Sequence, residues 1–213
     1  MAGTRGTIVV ILDLQRLSET PVSDDPFEHL IVPGFLAKAD VDNINADYPM
    51  LGKPGSFPVS AAPSGPGFKA VLDELRSTAF ASVLETKFHV DLAGKPTMAT
   101  VRDRCRRQDG KIHRDSGGKL VTVLVYLNAS WNADGGRLRL LRDAENIDNY
   151  ATEVPPEAGT LRAFPCTENA WHGHKPFEGQ RRTIQFNWVR SRRYLIREQL
   201  RHRLSSAIKL KFA

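Results

Sequence analysis

Two clusters of side chains in this sequence can hold a cation and an anion side by side. The first is His113-Arg114-Asp115. The second is His172-Gly173-His174, followed by Arg181-Arg182-Thr183. An imidazole and a carboxylate two residues apart can share one face of an extended segment, because strand side chains alternate. Two histidines and one carboxylate make a three-point face on an octahedral ion such as Fe(II), with three positions left open. A distant strand must then bring His172 or His174 to the first pair; both lie on one face of their segment, and either can reach the metal. An arginine shortly afterwards can hold the carboxylate of an acidic co-substrate with a fork of donors. Arg181 and Arg182 alternate across their strand, with Thr183, Gln185 and Asn187 on the Arg181 side and Ile184, Phe186 and Trp188 on the other. A polar row backed by an apolar row suits an anion-binding cavity. That selects Arg181 and leaves Arg182 at the strand's outer start.

In order and spacing these residues resemble the Fe(II)/2-oxoglutarate-dependent dioxygenases, most closely the prolyl-4-hydroxylase-like branch, over roughly residues 25 to 190. His113-Arg114-Asp115 matches the family's His-x-Asp. His172, with Pro176 four residues on, matches its distal His-x-x-x-Pro, and Arg181-Arg182-Thr183 matches its Arg-x-Ser/Thr. The resemblance implies Fe(II) held by His113, Asp115 and His172, with 2-oxoglutarate and O2 as co-substrates and ascorbate as a possible reductant. It implies that the far carboxylate of 2-oxoglutarate reaches Arg181, helped by Thr183 and by the phenol of Tyr126. Thr122 and Leu124 share the Tyr126 face of their strand and are expected to line the same cavity. The Pro176 spacing and the nine residues from His172 to Arg181 favour His172 over His174. His174 is then expected on the substrate side. Arg102 and Arg104 stand where branch members place substrate-side residues, often an aromatic. The arginine-rich strand departs from that pattern and weakens a carry-over of peptidyl-proline as substrate; as a strand, it reads best as a solvated edge.

The elements that must position these groups read as mainly β with supporting helices (α+β). Several short strands with turn punctuation fit a double-stranded β-helix, a jelly roll of cupin type. Strands are expected at Met98–Cys105, Leu120–Asn128, Gly136–Leu141, Thr160–Phe164 and Gln180–Val189, with a polar excursion from Asp143 to Pro156. Upstream, 7–12 can add an edge strand, and Pro26–Leu36 reads as a strand and turn before a helix through Val41 and Ile44. Residues 49–67, rich in Pro and Gly, form a loop too long for a simple connector and are expected as a mobile segment near the mouth of the site. Phe68–Phe88 is one helix or two. The chain of 213 residues is expected to be a single domain, with a supporting region 1–96, a catalytic β-helix at about 97–190 and a basic helix at 191–213.

The charge is uneven. Residues 189–213 hold eight Arg or Lys against Glu198, whereas the rest of the chain carries 22 basic and 23 acidic residues. The sequence pI near 9.5 therefore belongs to the tail, and no nucleic-acid partner is expected. Ile196, Leu200, Leu204 and Ile208 give the tail helix one apolar stripe beside Arg193, Arg197 and Arg201. It reads as a docked helix with a solvated face; weak peripheral contact with acidic lipid is the functional alternative. Two cysteines make no disulfide framework, and no run is long enough to span a membrane, which points to a cytoplasmic protein. The primary substrate, small-molecule or peptidyl, and the oligomeric state are open. Two rivals remain. A base demethylase would need an Arg and Asn pattern after Arg181 that is missing here. Against a non-catalytic metal- or ligand-binding β-helix, or a scaffold docking through the basic helix, stand the intact ligands together with an intact co-substrate arginine.

Overall fold

The computed structural model describes residues 12–211. Leucine, valine and aromatic residues in alternation build a six-stranded antiparallel sheet. Its strands are β1 (Leu30–Val32), β2 (Ser56–Pro58), β3 (Thr97–Cys105), β4 (Lys119–Tyr126), β7 (Leu161–Pro165) and β9 (Gly179–Val189), in the order β1-β7-β4-β9-β3-β2. A second sheet of three strands, β6-β5-β8, comes from β5 (Leu138–Leu141), β6 (Tyr150–Val154) and β8 (His172–His174). Two antiparallel sheets, with the chain crossing between them after β4, β6, β7 and β8, are the jelly-roll arrangement. Among the described residues no helix is long and apolar enough to cross a membrane.

The helices cover the outer face of the larger sheet. They are α1 (Leu14–Glu19), α2 (Lys38–Ala46), α3 (Pro66–Leu75) and α4 (Thr78–Phe88). Proline opens α3, where a missing N–H is harmless, and the Ser77 hydroxyl caps α4 by accepting from the Phe80 N–H. Val121, Val123, Val125, Ile184, Phe186 and Trp188 of the sheet meet Ile44, Phe68, Leu75, Phe80 and Leu84 of the helices in one buried core. Burying each such side chain contributes about 1.5–3 kcal/mol. The opposite parity of β4, β7 and β9 therefore faces the smaller sheet. Ile31, Arg162, Leu124, Gln185 and Thr100 lie side by side there, one per strand.

Four expectations need correcting. Residues 49–67 are not one unstructured loop: Ser56–Pro58 pairs with β3, and a short 3-10 turn follows at Val59–Ala61. Pro58 is tolerated because it ends an edge strand. That pairing also makes β3 an interior strand rather than a solvated edge. The polar excursion hides β6, whose Tyr-Ala-Thr-Glu-Val lacks an apolar signal because most of it is solvated at the sheet edge. The last helix, α5 (Arg192–Lys211), contacts β2 and β9, but Glu198 is its buried residue, while Ile196 and Leu200 are 57% and 53% exposed. The apolar stripe is thus not the docked face at these positions; Leu204 and Ile208 lie outside the residues whose side chains are described. The strand expected at 7–12 falls outside them also, except for Leu12.

Candidate active site

His113 precedes β4 in a short bridge, and its backbone pairs directly with β8: the His113 N–H donates to the His172 carbonyl, and the His172 N–H to that of His113, both at 2.9 Å. Main-chain pairing thereby sets the two rings side by side, with centroids 4.3 Å apart. Each ring's Nδ1 lies against a backbone carbonyl, Lys111 O at 2.8 Å and Ala170 O at 2.9 Å. A carbonyl only accepts, so both Nδ1 atoms carry the hydrogen and both Nε2 atoms keep a free lone pair, the tautomer of a ligating histidine. Among the described residues, ligand atoms of His113, Asp115 and His172 lie within 4.8 Å of one another. One ion with bonds of about 2.0–2.2 Å can draw such a set together. Asp115 and His172 are buried, and His113 sits at the exposed rim.

The carboxylate is held from behind. Lys119 Nζ donates to Asp115 Oδ1 at 2.7 Å, and Thr122 Oγ1 donates to Oδ2 at 2.5 Å. Asn187 Nδ2 donates in turn to Thr122 Oγ1 at 2.6 Å. Burial raises the Asp115 pKa, but the Lys119 ammonium, the His172 imidazole and these donors outweigh it, so the group stays ionised. Burial, with His113 and Arg162 nearby, keeps His172 neutral. A neutral His172 and an ionised Asp115 are the protonation states that metal binding requires of them. Nearby Cys166, 3.2 Å from Thr122 Oγ1, is no nucleophile: burial and Asp115 push its thiol up to about 12.

Beside this cluster opens a cavity lined by Thr122, Leu124, Thr183, Arg181, His174 and Arg102, among others. Arg181 is 5% exposed. Its Nε donates to the Gly136 carbonyl at 2.8 Å, and Nη1 lies 3.5 Å from Thr183 Oγ1. Its other donors remain for an anion. Arg182 points the other way, to Asp103 at 2.9 Å and Asn45 at 3.0 Å. Tyr126 is fully buried beneath Arg181, whose Cζ is 5.4 Å from the ring, and its hydroxyl has no hydrogen-bond partner. Arg102 reaches the cavity but is tied to Asp109 at 2.7 Å. Arg104 is exposed and stands apart. Gly110, at φ +83°, packs so closely on His174 that a Cβ would sit 2.2 Å from its ring.

The sequence search for site residues passed over Lys119, Asn187 and Arg162. Lys119 carries no spacing signal, whereas Asn187 stands on the polar row of its strand with Arg181. Arg162 carries a signal too: it is a charge in the middle of the apolar Leu161–Pro165 strand.

Residues 87–190 match the family model described as 2OG-Fe(II) oxygenase superfamily. This region is a 2OG-Fe(II) oxygenase domain. Its cofactor is Fe(II), with 2-oxoglutarate and O2 as co-substrates. No curated protein matches the sequence significantly. Among solved structures, the chain is similar to a Pseudomonas putida prolyl-4-hydroxylase (18% identity, 86% of this chain and 98% of that one, TM-score 0.54). It is also similar to the viral collagen prolyl hydroxylase of Paramecium Bursaria Chlorella virus-1 (19%, 81% and 94%, 0.53). A third is HygX from Streptomyces hygroscopicus with nickel and 2-oxoglutarate bound (14%, 90% and 88%, 0.51). At these identities the likeness concerns the fold.

Burial also makes the 2OG-Fe(II) oxygenase domain acid-sensitive. His29 and His174 are held below the ordinary imidazole value of 6.5 by burial, His174 at about 4 with Arg181 adding to the effect. The unfolded chain then takes up protons first as pH falls, so stability present above about 6.5 is lost towards about 4. Carboxylates with lowered values act below that window. Thermal unfolding of chelator-treated protein between about pH 7.5 and about pH 4.5 should show a falling midpoint, with a shallower slope for His174→Gln. A flat wild-type profile counts against neutral buried rings.

Proposed function

We propose that the protein is a hydroxylase in which His113, Asp115 and His172 hold Fe(II), and Arg181 with Thr183 holds the far carboxylate of 2-oxoglutarate. The observation that carries the reading is the shared cavity: His113 and His172, with Asp115 in ligand reach of both, line the same cavity as Arg181 and Thr183. Iron, 2-oxoglutarate and O2 supply the oxidation, which releases succinate and CO2 and places one oxygen atom on a substrate C–H. The protein's residues do the positioning. Lys119 and Thr122 keep Asp115 charged and aimed. The carbonyls of Lys111 and Ala170 keep both imidazoles in the ligating tautomer. Leu124 and Leu138 wall off water along the cavity. Ser56, Arg102, His174 and Gly110 frame the substrate side. That polar frame suits a small polar molecule or a polar peptidyl residue.

The chain is read as one domain, placed in the cytoplasm because Cys105 and Cys166 are both free thiols. Weak contact of α5 with acidic lipid stays a secondary proposal, supported by Ile196 and Leu200 standing exposed beside arginines. The test is direct. Protein supplied with Fe(II), 2-oxoglutarate and air should form succinate, faster when the right compound of a metabolite and peptide panel is present, and that compound should gain one oxygen by mass. Absence of succinate together with no binding of 2-oxoglutarate to the Fe(II)-loaded protein would sink the proposal.

A further inference from the structure

Arg162 is the largest fully buried side chain among the described residues, at 0% exposure, and none of its three guanidinium nitrogens has a hydrogen-bond partner. Its Cζ lies 4.3 Å from the centre of the Phe164 ring and 5.9 Å from that of Phe27. Those rings satisfy the face of the cation but not the N–H edge, where five donors lie. Burial pulls the group down only to about 10, so it stays charged at neutral pH. An unpartnered buried charge costs several kcal/mol, and its neutral replacement is commonly stabilising. The two ring faces and the Asp115 charge offset part of that cost, and the N–H edge is left for something that enters.

Its position says what. Arg162 stands on the inner face of the larger sheet, directly across from Leu124, which lines the cavity. One step along β4 on the same face is Tyr126, whose hydroxyl is likewise buried and unpartnered. β4 runs between β7 and β9, so Tyr126 stands between the strands that carry Arg162 and Arg181, with Arg181 Cζ 5.4 Å from its ring. Arg162, Tyr126 and Arg181 thus stand on three neighbouring strands, Arg181 in the cavity lining and the other two just behind it, and together offer the donors a carboxylate needs.

We infer that Arg162 is a second anion-holding residue of the co-substrate cavity: with the Tyr126 hydroxyl, it takes an oxygen of the far carboxylate that Arg181 holds from the other side. The inference rests on the proposed 2-oxoglutarate site and makes that site doubly cationic. It also explains why a charge is kept in the middle of an apolar strand.

The test compares wild type, Arg162→Leu, Arg162→Met and Arg181→Leu. Calorimetric titration of Fe(II)-loaded protein without oxygen measures the dissociation constant of 2-oxoglutarate and of 2-oxobutyrate, which lacks the far carboxylate. Arg162→Leu should weaken 2-oxoglutarate by about 10-fold or more, the loss of one charged hydrogen bond, and leave 2-oxobutyrate unchanged. The metal-free variant should unfold at the same temperature or higher, which a packing role would not produce. Arg162→Met guards against a folding defect in the leucine variant. Unchanged 2-oxoglutarate binding overturns the inference, as do equal losses for both acids or a fall in the metal-free midpoint. If 2-oxoglutarate fails to bind wild type, or binds Arg181→Leu equally well, the underlying site assignment fails instead.

Discussion

Replacing Asp115 with alanine is expected to lower 2-oxoglutarate-dependent succinate formation by more than about 100-fold. That exceeds the 10–100-fold typical of a partner outside the metal shell. The substitution removes the only anion of the cluster and leaves two imidazoles, a set that binds Fe(II) weakly. It also strands Lys119 and Thr122, whose donors now converge on that carboxylate. Asp115→Asn separates charge from shape, because the amide oxygen can still accept from Thr122. If charge is the decisive property, Asn should be almost as inactive as Ala. Thr122→Val keeps the carboxylate but removes its aim and should fall about 10-fold. Iron content after anaerobic loading, measured beside turnover, distinguishes lost metal from misplaced metal. Full activity with bound iron in Asp115→Ala would remove this residue from the scheme.

The second large effect concerns the paired arginines. Arg181→Leu is expected to raise the KM for 2-oxoglutarate by about 100-fold or more, since hydrogen bonds to a charged group contribute about 1.5–3 kcal/mol each and Arg181 can make two. Arg181→Lys should recover part of this, as a point charge without the fork. Arg182→Leu is the internal control. It breaks a half-buried pair with Asp103, a bond to Asn45 and the packing over the Tyr48 ring, whose centre is 5.0 Å away. Stability should drop while the KM stays within about two-fold, within the tolerance for sites that share no partner. A reversed outcome, with Arg182→Leu raising the KM and Arg181→Leu silent, would mean that the strand's inward face had been misassigned.

These side chains were readable in the sequence because their chemistry is rare and their spacing local. His113 and Asp115 sit two residues apart, and the parity of β9 separates Arg181 from Arg182 with no knowledge of neighbours. The core strands were legible for the same reason: Val121, Val123 and Val125 repeat with the period of a strand. What the sequence could not show depends on who stands opposite. β6 and β2 are short edges whose pairing comes from partners far along the chain. The stripe through Ile196 and Leu200 has helical period, yet α5 docks through Tyr194, Leu195 and Glu198, because a repeat shows that a face exists and not what covers it. Lys119 reads as an ordinary strand-start charge until β4 places it beside Asp115.

Backbone pairing between His113 and His172 carries a consequence for how such a protein can change over generations. The bite of the two imidazoles is stapled by main-chain hydrogen bonds, which depend on backbone rather than on side chains and need a glycine at 173, where a Cβ would sit 2.9 Å from the Gly110 carbonyl. The opening, by contrast, is framed by side chains such as Ser56 of β2 and Arg102 of β3, which take no part in the staple. The doorway can therefore be altered at Ser56 and Arg102 while the main-chain clasp on the metal ligands stays intact.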